Sequence, residues 1–143
     1  MSAIEPGLTL ILRTDGASRG NPGPAAAGVV IEREDGRLVA RGGHVLGELT
    51  NNQAEYRALI LGLTAVARYQ PAQVIVRLDS DLVVQQMNGR YQVRDQALRA
   101  LHQQARALAS ALPRIQFTHV PRAQNHLADA LANQALDGHV TGA

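Results

Sequence analysis

Four carboxylates hold positions from which they could act together: Asp15, Glu55, Asp79 and Asp129. Asp15 closes the apolar run "LTLILRTD" beside a glycine-rich segment, and Asp79 closes a second run, "AQVIVRLD". Glu55 shares a helical row with Leu59, Gly62 and Val66, while Gln53, Arg57, Thr64 and Arg68 take the opposite face, so Glu55 is directed at the core side. Asp129 falls four residues after Asn125, in the first turn of the last helical pattern. Acids gathered at one place either share protons or hold cations. Two unit charges about 4 Å apart repel by roughly 4 kcal/mol at an effective dielectric near 20. Four such groups stay ionised only if cations neutralise them, and an all-oxygen donor set suits Mg²⁺, with Mn²⁺ as the substitute.

Each acid also has a purely structural reading. Asp15 could form a turn, Asp79 could cap the helix that starts near Ser80, and Asp129 could complement a helix dipole. Glu55 resists that treatment, because a buried carboxylate without a partner is costly. If the two apolar runs are adjacent parallel strands, Asp15 and Asp79 emerge side by side at their carboxyl ends, where ligands gather in such sheets. The stretch "FTHVPRAQNHLADALA", residues 117–132, adds two histidines. His119 lies in a strand pattern and His126 one residue past Asn125, and neither receives a role.

The elements that would position these groups follow from periodicity and punctuation. "LTLILRTD" reads as a strand, followed by turn residues throughout "GASRGNPGP". "AAAGVVIERE" and "RLVARGGHVL" flank Asp35-Gly36, which predicts a hairpin with a two-residue loop. Thr50 and Gln53 form a capping box that opens a helix running to about Arg68. Residues 72–79 form a buried strand, and Ser80 caps a short helix that Gly89 ends. Asp95 caps a helix whose apolar stripe is Ala97/Leu98, Leu101, Ala105, Leu108 and Leu112. "RIQFTHV" is the last strand, and Asn125 caps a final helix that Gly138 closes. The order βββαβααβα implies an α/β fold: a mixed sheet with helices on its faces.

Composition sets the outer limits. At 143 residues and 45% hydrophobic, the chain is long and apolar enough for one globular domain rather than a disordered segment. The core is expected at about 8–137, with flexible ends at 1–7 and 138–143. There is no cysteine, which excludes disulfide frameworks, zinc–thiolate sites and thiol nucleophiles and fits a cytoplasmic protein. The N-terminus lacks a signal-peptide pattern, and no apolar run reaches membrane-spanning length. No obligate protein partner is evident. All 14 basic residues are Arg, facing 12 acids, for a net charge of +2. Setting aside four metal-neutralised acids leaves 14 against eight, a balance of +6 that could hold a phosphate backbone.

The segments "TDGASRGNPGPAAAGVVI", "TNNQAEYRALILGL", "RLDSDLVVQQMNG" and "VPRAQNHLADALA" together resemble type 1 ribonuclease H, from about Leu8 to Leu136. The resemblance implies a five-stranded mixed sheet, three antiparallel strands and then two parallel, with helices on both faces. It implies that Asp15, Glu55, Asp79 and Asp129 are catalytic and bind two Mg²⁺ ions, with Mn²⁺ able to substitute. The implied reaction is endonucleolytic hydrolysis of the RNA strand of RNA–DNA hybrids, leaving 5′-phosphate and 3′-hydroxyl ends; double-stranded RNA is an alternative substrate. Implied substrate contacts are Gly16, Asn21, Thr50, Asn51, Asn52, Gln53, Ser80 and Asn125, with the glycines at 16, 20 and 23 letting backbone approach the ligand. "NGRYQVRDQALRAL" runs straight into the next helix, as in a compact subgroup without the family's basic protrusion. Hybrid affinity would then rest on Arg90, Arg94, Arg99 and Arg106, or on another domain or partner, and a solvated face explains Arg99 and Arg106 at least as well. The connection "PRAQ" is too short for the histidine-bearing loop of some members, leaving Arg122 as the candidate for product release or phosphate contact.

Overall fold

Branched apolar residues build the first and fourth strands, and Leu10, Leu12, Val74, Val76 and Leu78 are buried on one face while Ile75 and Arg77 on the other face of the fourth stay half-buried. The computed structural model describes residues 5–141. In order, the elements are β1 (Thr9–Ser18), β2 (Gly23–Arg33), β3 (Leu38–Leu49), α1 (Asn51–Ala67), β4 (Gln73–Leu78), α2 (Asp81–Met87), α3 (Gln96–Ser110), β5 (Ile115–His119), a 3₁₀ turn (Arg122–Asn125) and α4 (His126–Thr141). The sheet order is β3-β2-β1-β4-β5, with the first three strands antiparallel and β4 and β5 parallel to β1. This is the mixed sheet expected. Among the described residues, no helix is long and apolar enough to cross a membrane.

The two faces of the sheet are packed differently. On one, Leu10, Leu12, Val74 and Val76 meet Leu59, Leu63 and Val66 of α1, with α2 and α3 completing a large aliphatic core. On the other, α4 lies on a surface of small residues in which Ala26, Ala132 and Leu136 form the buried centre. A methyl group added at Gly28 would run into the backbone carbonyl of Ala128, so the missing side chain is what lets α4 settle onto β2. Gly16 does the same for α1, since its absent Cβ would collide with the backbone of Ala54 and Glu55.

The caps are as predicted at three helices. Thr50 Oγ1 accepts from Gln53 N at 3.2 Å and Gln53 Oε1 from Thr50 N at 2.9 Å. Ser80 Oγ accepts from Val83 N at 3.3 Å, and Asp95 Oδ1 from Leu98 N at 3.0 Å. Several expectations need correction. β1 does not end at Asp15 but runs to Ser18, because the small residues of β2 keep pairing with it after β4 has stopped. The β2–β3 loop has three residues, Glu34 to Gly36: Gly36 N donates to Arg33 O at 3.0 Å, Arg33 N donates to Arg37 O at 2.8 Å, and Gly36 takes φ 89°. Ala97 is exposed, and Ala109 fills the α3 stripe instead.

Asn125 does not cap α4; it ends the 3₁₀ turn, and its side chain is committed elsewhere. Gly138 does not close α4, which continues through it to Thr141. Of the ends expected to be flexible, residues 1–4 and 142–143 lie outside the described residues. Gly7 N is tied to Gln70 O at 3.0 Å.

Candidate active site

Parallel pairing of β1 with β4 sets the first two acids side by side. The register runs Arg13 opposite Arg77, so Asp15 and Asp79 come level just where β4 gives way to Ser80 and α2. α1 brings the third. Its close approach at Gly16 places Glu55 Oε1 2.6 Å from Gly16 N, a backbone N–H that donates to the carboxylate. One oxygen each of Asp15, Glu55 and Asp79 lies within 4.8 Å of the others. Asp129, in the first turn of α4, borders the same cleft of about 500 Å³. Its Oδ1 accepts from Asn133 Nδ2 at 3.3 Å and lies 3.9 Å from Arg122 Nη2.

The cluster is electrostatically strained. Asp15 is only 6% exposed. Burial, then the charge of Glu55 and its hydrogen bond, then the charge of Asp79 and the hydrogen bond with Asp129, drive the Asp15 carboxyl far above the usual carboxylate range. Burial also raises Glu55, opposed by the Gly16 N–H and the Asp15 proton, raised further by Asp79 and eased by Arg122. Without a cation, Asp15 therefore holds a proton and donates it to Glu55. Three carboxyl groups that cannot all ionise, built only of oxygen donors, fit a divalent cation exchanged for protons.

A family profile described as "Reverse transcriptase-like" matches residues 13–135. The chain is 51% identical to "Ribonuclease HI" of Halobacterium salinarum over 123 residues, which is 86% of this chain and 62% of that protein. The crystal structure of RNase H1 from the same halophilic archaeon superposes with a TM-score of 0.88 at 49% identity, covering 90% of this chain and 98% of that one. The chain belongs to the type 1 ribonuclease H family. LC11-RNase H1, crystallised in complex with an RNA/DNA hybrid, matches with a TM-score of 0.88 at 39% identity over 92% of this chain and 99% of that one. The chain spans 62% of the length of the first curated relative it matches and 36% of the mycobacterial relatives that follow.

Against this ribonuclease H framework, the implied site residues divide into groups. Gly16, Asn51, Asn52, Ser80 and Arg122 border the acid cleft itself. Asn21, Thr50 and Gln53 instead line an adjoining hollow of about 400 Å³, which shares Asn51 and Asn52 with the cleft. There Asn21 Oδ1 accepts from Asn51 N at 3.0 Å. Asn125 is in neither. It is buried, its Nδ2 donates to Thr14 O at 2.9 Å, and its Oδ1 has no partner among the described residues. Arg90 and Arg94 are exposed on the loop between α2 and α3, outside both depressions. His119 and His126 are exposed and border neither depression.

The glycines at 16, 20 and 23 also have a reason within the fold: added side chains there would meet the protein's own backbone, so they serve helix approach and the turn. Four cleft residues, Ala17, Ser18, Arg19 and Asn133, escaped sequence reasoning. Arg19 borders the cleft and is fixed by Asp137 at 2.6 Å. Asn133 sits one helical turn past Asp129, a spacing that could have revealed it.

Proposed function

We propose that this chain is an endoribonuclease that hydrolyses the RNA strand of RNA–DNA hybrids. The observation that carries the reading is the convergence of Asp15, Glu55 and Asp79 oxygens within 4.8 Å at the carboxyl ends of two parallel strands. In this reading the three acids and Asp129 hold two Mg²⁺ ions, or Mn²⁺ in their place. Bound there, divalent cations offset the charge of a phosphodiester and acidify water. Glu55 is kept in place by the Gly16 N–H, and Asp129 by Asn133, so the donors are preset rather than assembled on binding. Water adds to phosphorus as the bond to the 3′ oxygen breaks and that oxygen takes up a proton. The ends are then 5′-phosphate and 3′-hydroxyl. Arg122, which is largely exposed, is free to turn from Asp129 towards a phosphate.

The adjoining hollow supplies strand recognition. Its capping and turn hydrogen bonds use the Asn21 and Gln53 side-chain oxygens as acceptors, which leaves their NH₂ groups and the Thr50 hydroxyl hydrogen as donors. Donors suit phosphate oxygens and ribose 2′-hydroxyls, the groups a hybrid-reading surface must sense. The relative LC11-RNase H1, crystallised with such a hybrid, supports this assignment.

The test is a panel of end-labelled RNA–DNA hybrid, double-stranded RNA and DNA duplex with Mg²⁺ or Mn²⁺. Wild-type protein should cut the hybrid, and Asp15→Asn should lower turnover roughly 100-fold or more. An intact hybrid, or unimpaired cleavage by Asp15→Asn, would sink the proposal. Cleavage of double-stranded RNA at a comparable rate would widen the substrate class.

A further inference from the structure

The loop that replaces a protrusion between α2 and α3 encloses a separate cavity of about 350 Å³. Arg99, His102 and Arg106, on one stripe of α3, line it together with Tyr91, Gln92 and Gln103. No acidic residue lines it, and neither arginine forms an ion pair among the described residues. Each cationic or titratable group is fixed by a backbone carbonyl. Arg99 Nε donates to Val93 O at 2.9 Å, His102 Nε2 donates to Gln86 O at 3.1 Å, and Arg106 Nη1 donates to Met87 O at 3.4 Å. The carbonyls of Gln86 and Met87 end α2, so His102 and Arg106 also satisfy terminal acceptors of that helix. That role accounts for two of the groups but not for Arg99. Each guanidinium carries five N–H donors and spends one here.

The helix that lines the cavity also reaches the hollow beside the acids. Asn51 and Asn52 border both the acid cleft and the adjoining hollow, and the far wall of that hollow is Asp95 and Leu98 of α3. From Leu98 to Arg106 the helix advances about 12 Å at ~1.5 Å per residue. Across residues 90–106 four arginines face one aspartate. Tyr91, 51% exposed, stands at the cavity wall as a stacking surface.

We propose that the Arg99–His102–Arg106 cavity is a binding site for backbone phosphates of the hybrid, away from the scissile bond. The inference rests on the hybrid-nuclease reading above and assigns to α3 the affinity that a protrusion would otherwise supply. Unpaired guanidiniums at an acid-free concave surface bind phosphodiesters and add to the salt dependence of association.

The test compares wild type with the Arg99→Ala/Arg106→Ala double variant, cleaving a hybrid of about 20 base pairs over a range of salt. The double variant should show KM raised about tenfold near physiological salt and kcat unchanged. Its slope of log KM against log salt should be shallower by about 1 to 2. Arg99→Lys/Arg106→Lys should restore the slope, because the charge is retained. Arg106 also anchors Met87, so Arg99→Ala alone, checked for an unchanged Tm, is read in parallel and should move KM and slope in the same direction. An unchanged salt slope in a folded variant would overturn the proposal. Orthophosphate that raises the wild-type Tm but not that of the double variant, with equal hybrid KM for both proteins, would assign the cavity to a free anion and overturn it as well. If wild type cuts no hybrid, the nuclease reading fails. Anisotropy of the same hybrid on Asp15→Asn protein, with and without the two arginines, then still decides the cavity.

Discussion

Asp15 and Glu55 share protons because the fold gives neither enough solvent to ionise freely. That coupling has a pH signature. Burial and the neighbouring acids push Asp15 up to about 10 and Glu55 up to about 7, whereas in the unfolded chain both titrate near the ordinary carboxylate values. The folded protein therefore binds these protons more tightly than the unfolded chain. Their contribution to stability is complete below about pH 4 and drains away as pH rises through about 7 and then about 10. In chelator, the Tm should fall between pH 5 and pH 9. Asp15→Asn, which removes the most strongly shifted group, should flatten that fall and raise the Tm at pH 8 by a few degrees. Calorimetry across the pH range is the check, and an unflattened profile in Asp15→Asn would contradict the assignment. At this scale the acids were legible in sequence, because strand ends and a helical row betray them. Asn125 was not: its spacing from Asp129 invites a capping role, and only the tertiary structure shows its amide committed to β1.

Asn125 matters because of what the elements around it do. The β1–β4 ladder ends with Arg13 opposite Arg77, and the next carbonyl on β1, that of Thr14, takes its hydrogen bond from Asn125 Nδ2. Arg13 Nη1 donates to Gln124 O at 2.8 Å, a second bolt between the same 3₁₀ turn and the same strand. The turn thereby ties the start of α4, and Asp129 with it, to the residue that precedes Asp15. Asn125→Ala should cost about 1–3 kcal/mol in chemical denaturation, because a buried carbonyl loses its donor. Hybrid cleavage should drop more than the stability loss explains, through displacement of Asp129; full turnover in a destabilised variant would separate the turn from the site.

Gly28 acts in the same contact, paired with Asp15 and set against Ala128 beside Asp129. Gly28→Ala should destabilise by about 1–3 kcal/mol, since the Ala128 carbonyl cannot yield without moving α4. Thermal melts measure it, and a loss much below that range would mean that α4 shifts freely. The run "AAAG" announces neither effect, because smallness has meaning only once the facing helix is known. The misplaced end of β1 and the closing role given to Gly138 have the same origin. Local punctuation marks where an element could stop, but pairing with β2 carries β1 past Asp15, and α4 runs on through Gly138.

For the whole molecule, the mixed sheet was readable from the alternation of elements and from the family resemblance, but the adjacency of β1 and β4 that makes Asp15 and Asp79 neighbours entered only as a condition until the strand order supplied it. The meaning of the charge was less visible, since +2 over 143 residues suggests little. Three of the acids counted in that total converge at one point and a fourth borders the same cleft, so the rest of the surface is more basic than the sum. Cation binding should thus act on hybrid affinity twice, by filling the cleft and by moving the effective balance from +2 towards +6. With a hydrolysis-resistant hybrid at fixed ionic strength, Mg²⁺ should tighten binding relative to chelator by about tenfold. Asp79→Asn weakens the cation site and removes one repelling charge, so it should bind more tightly than wild type in chelator and gain less from Mg²⁺. The arginines are untouched by either change, so the salt slope should stay nearly constant throughout. Fluorescence anisotropy in a two-by-two design of protein and metal gives all four affinities. Equal gains from Mg²⁺ in both proteins would show that the cation acts on the nucleic acid rather than on the carboxylate cluster.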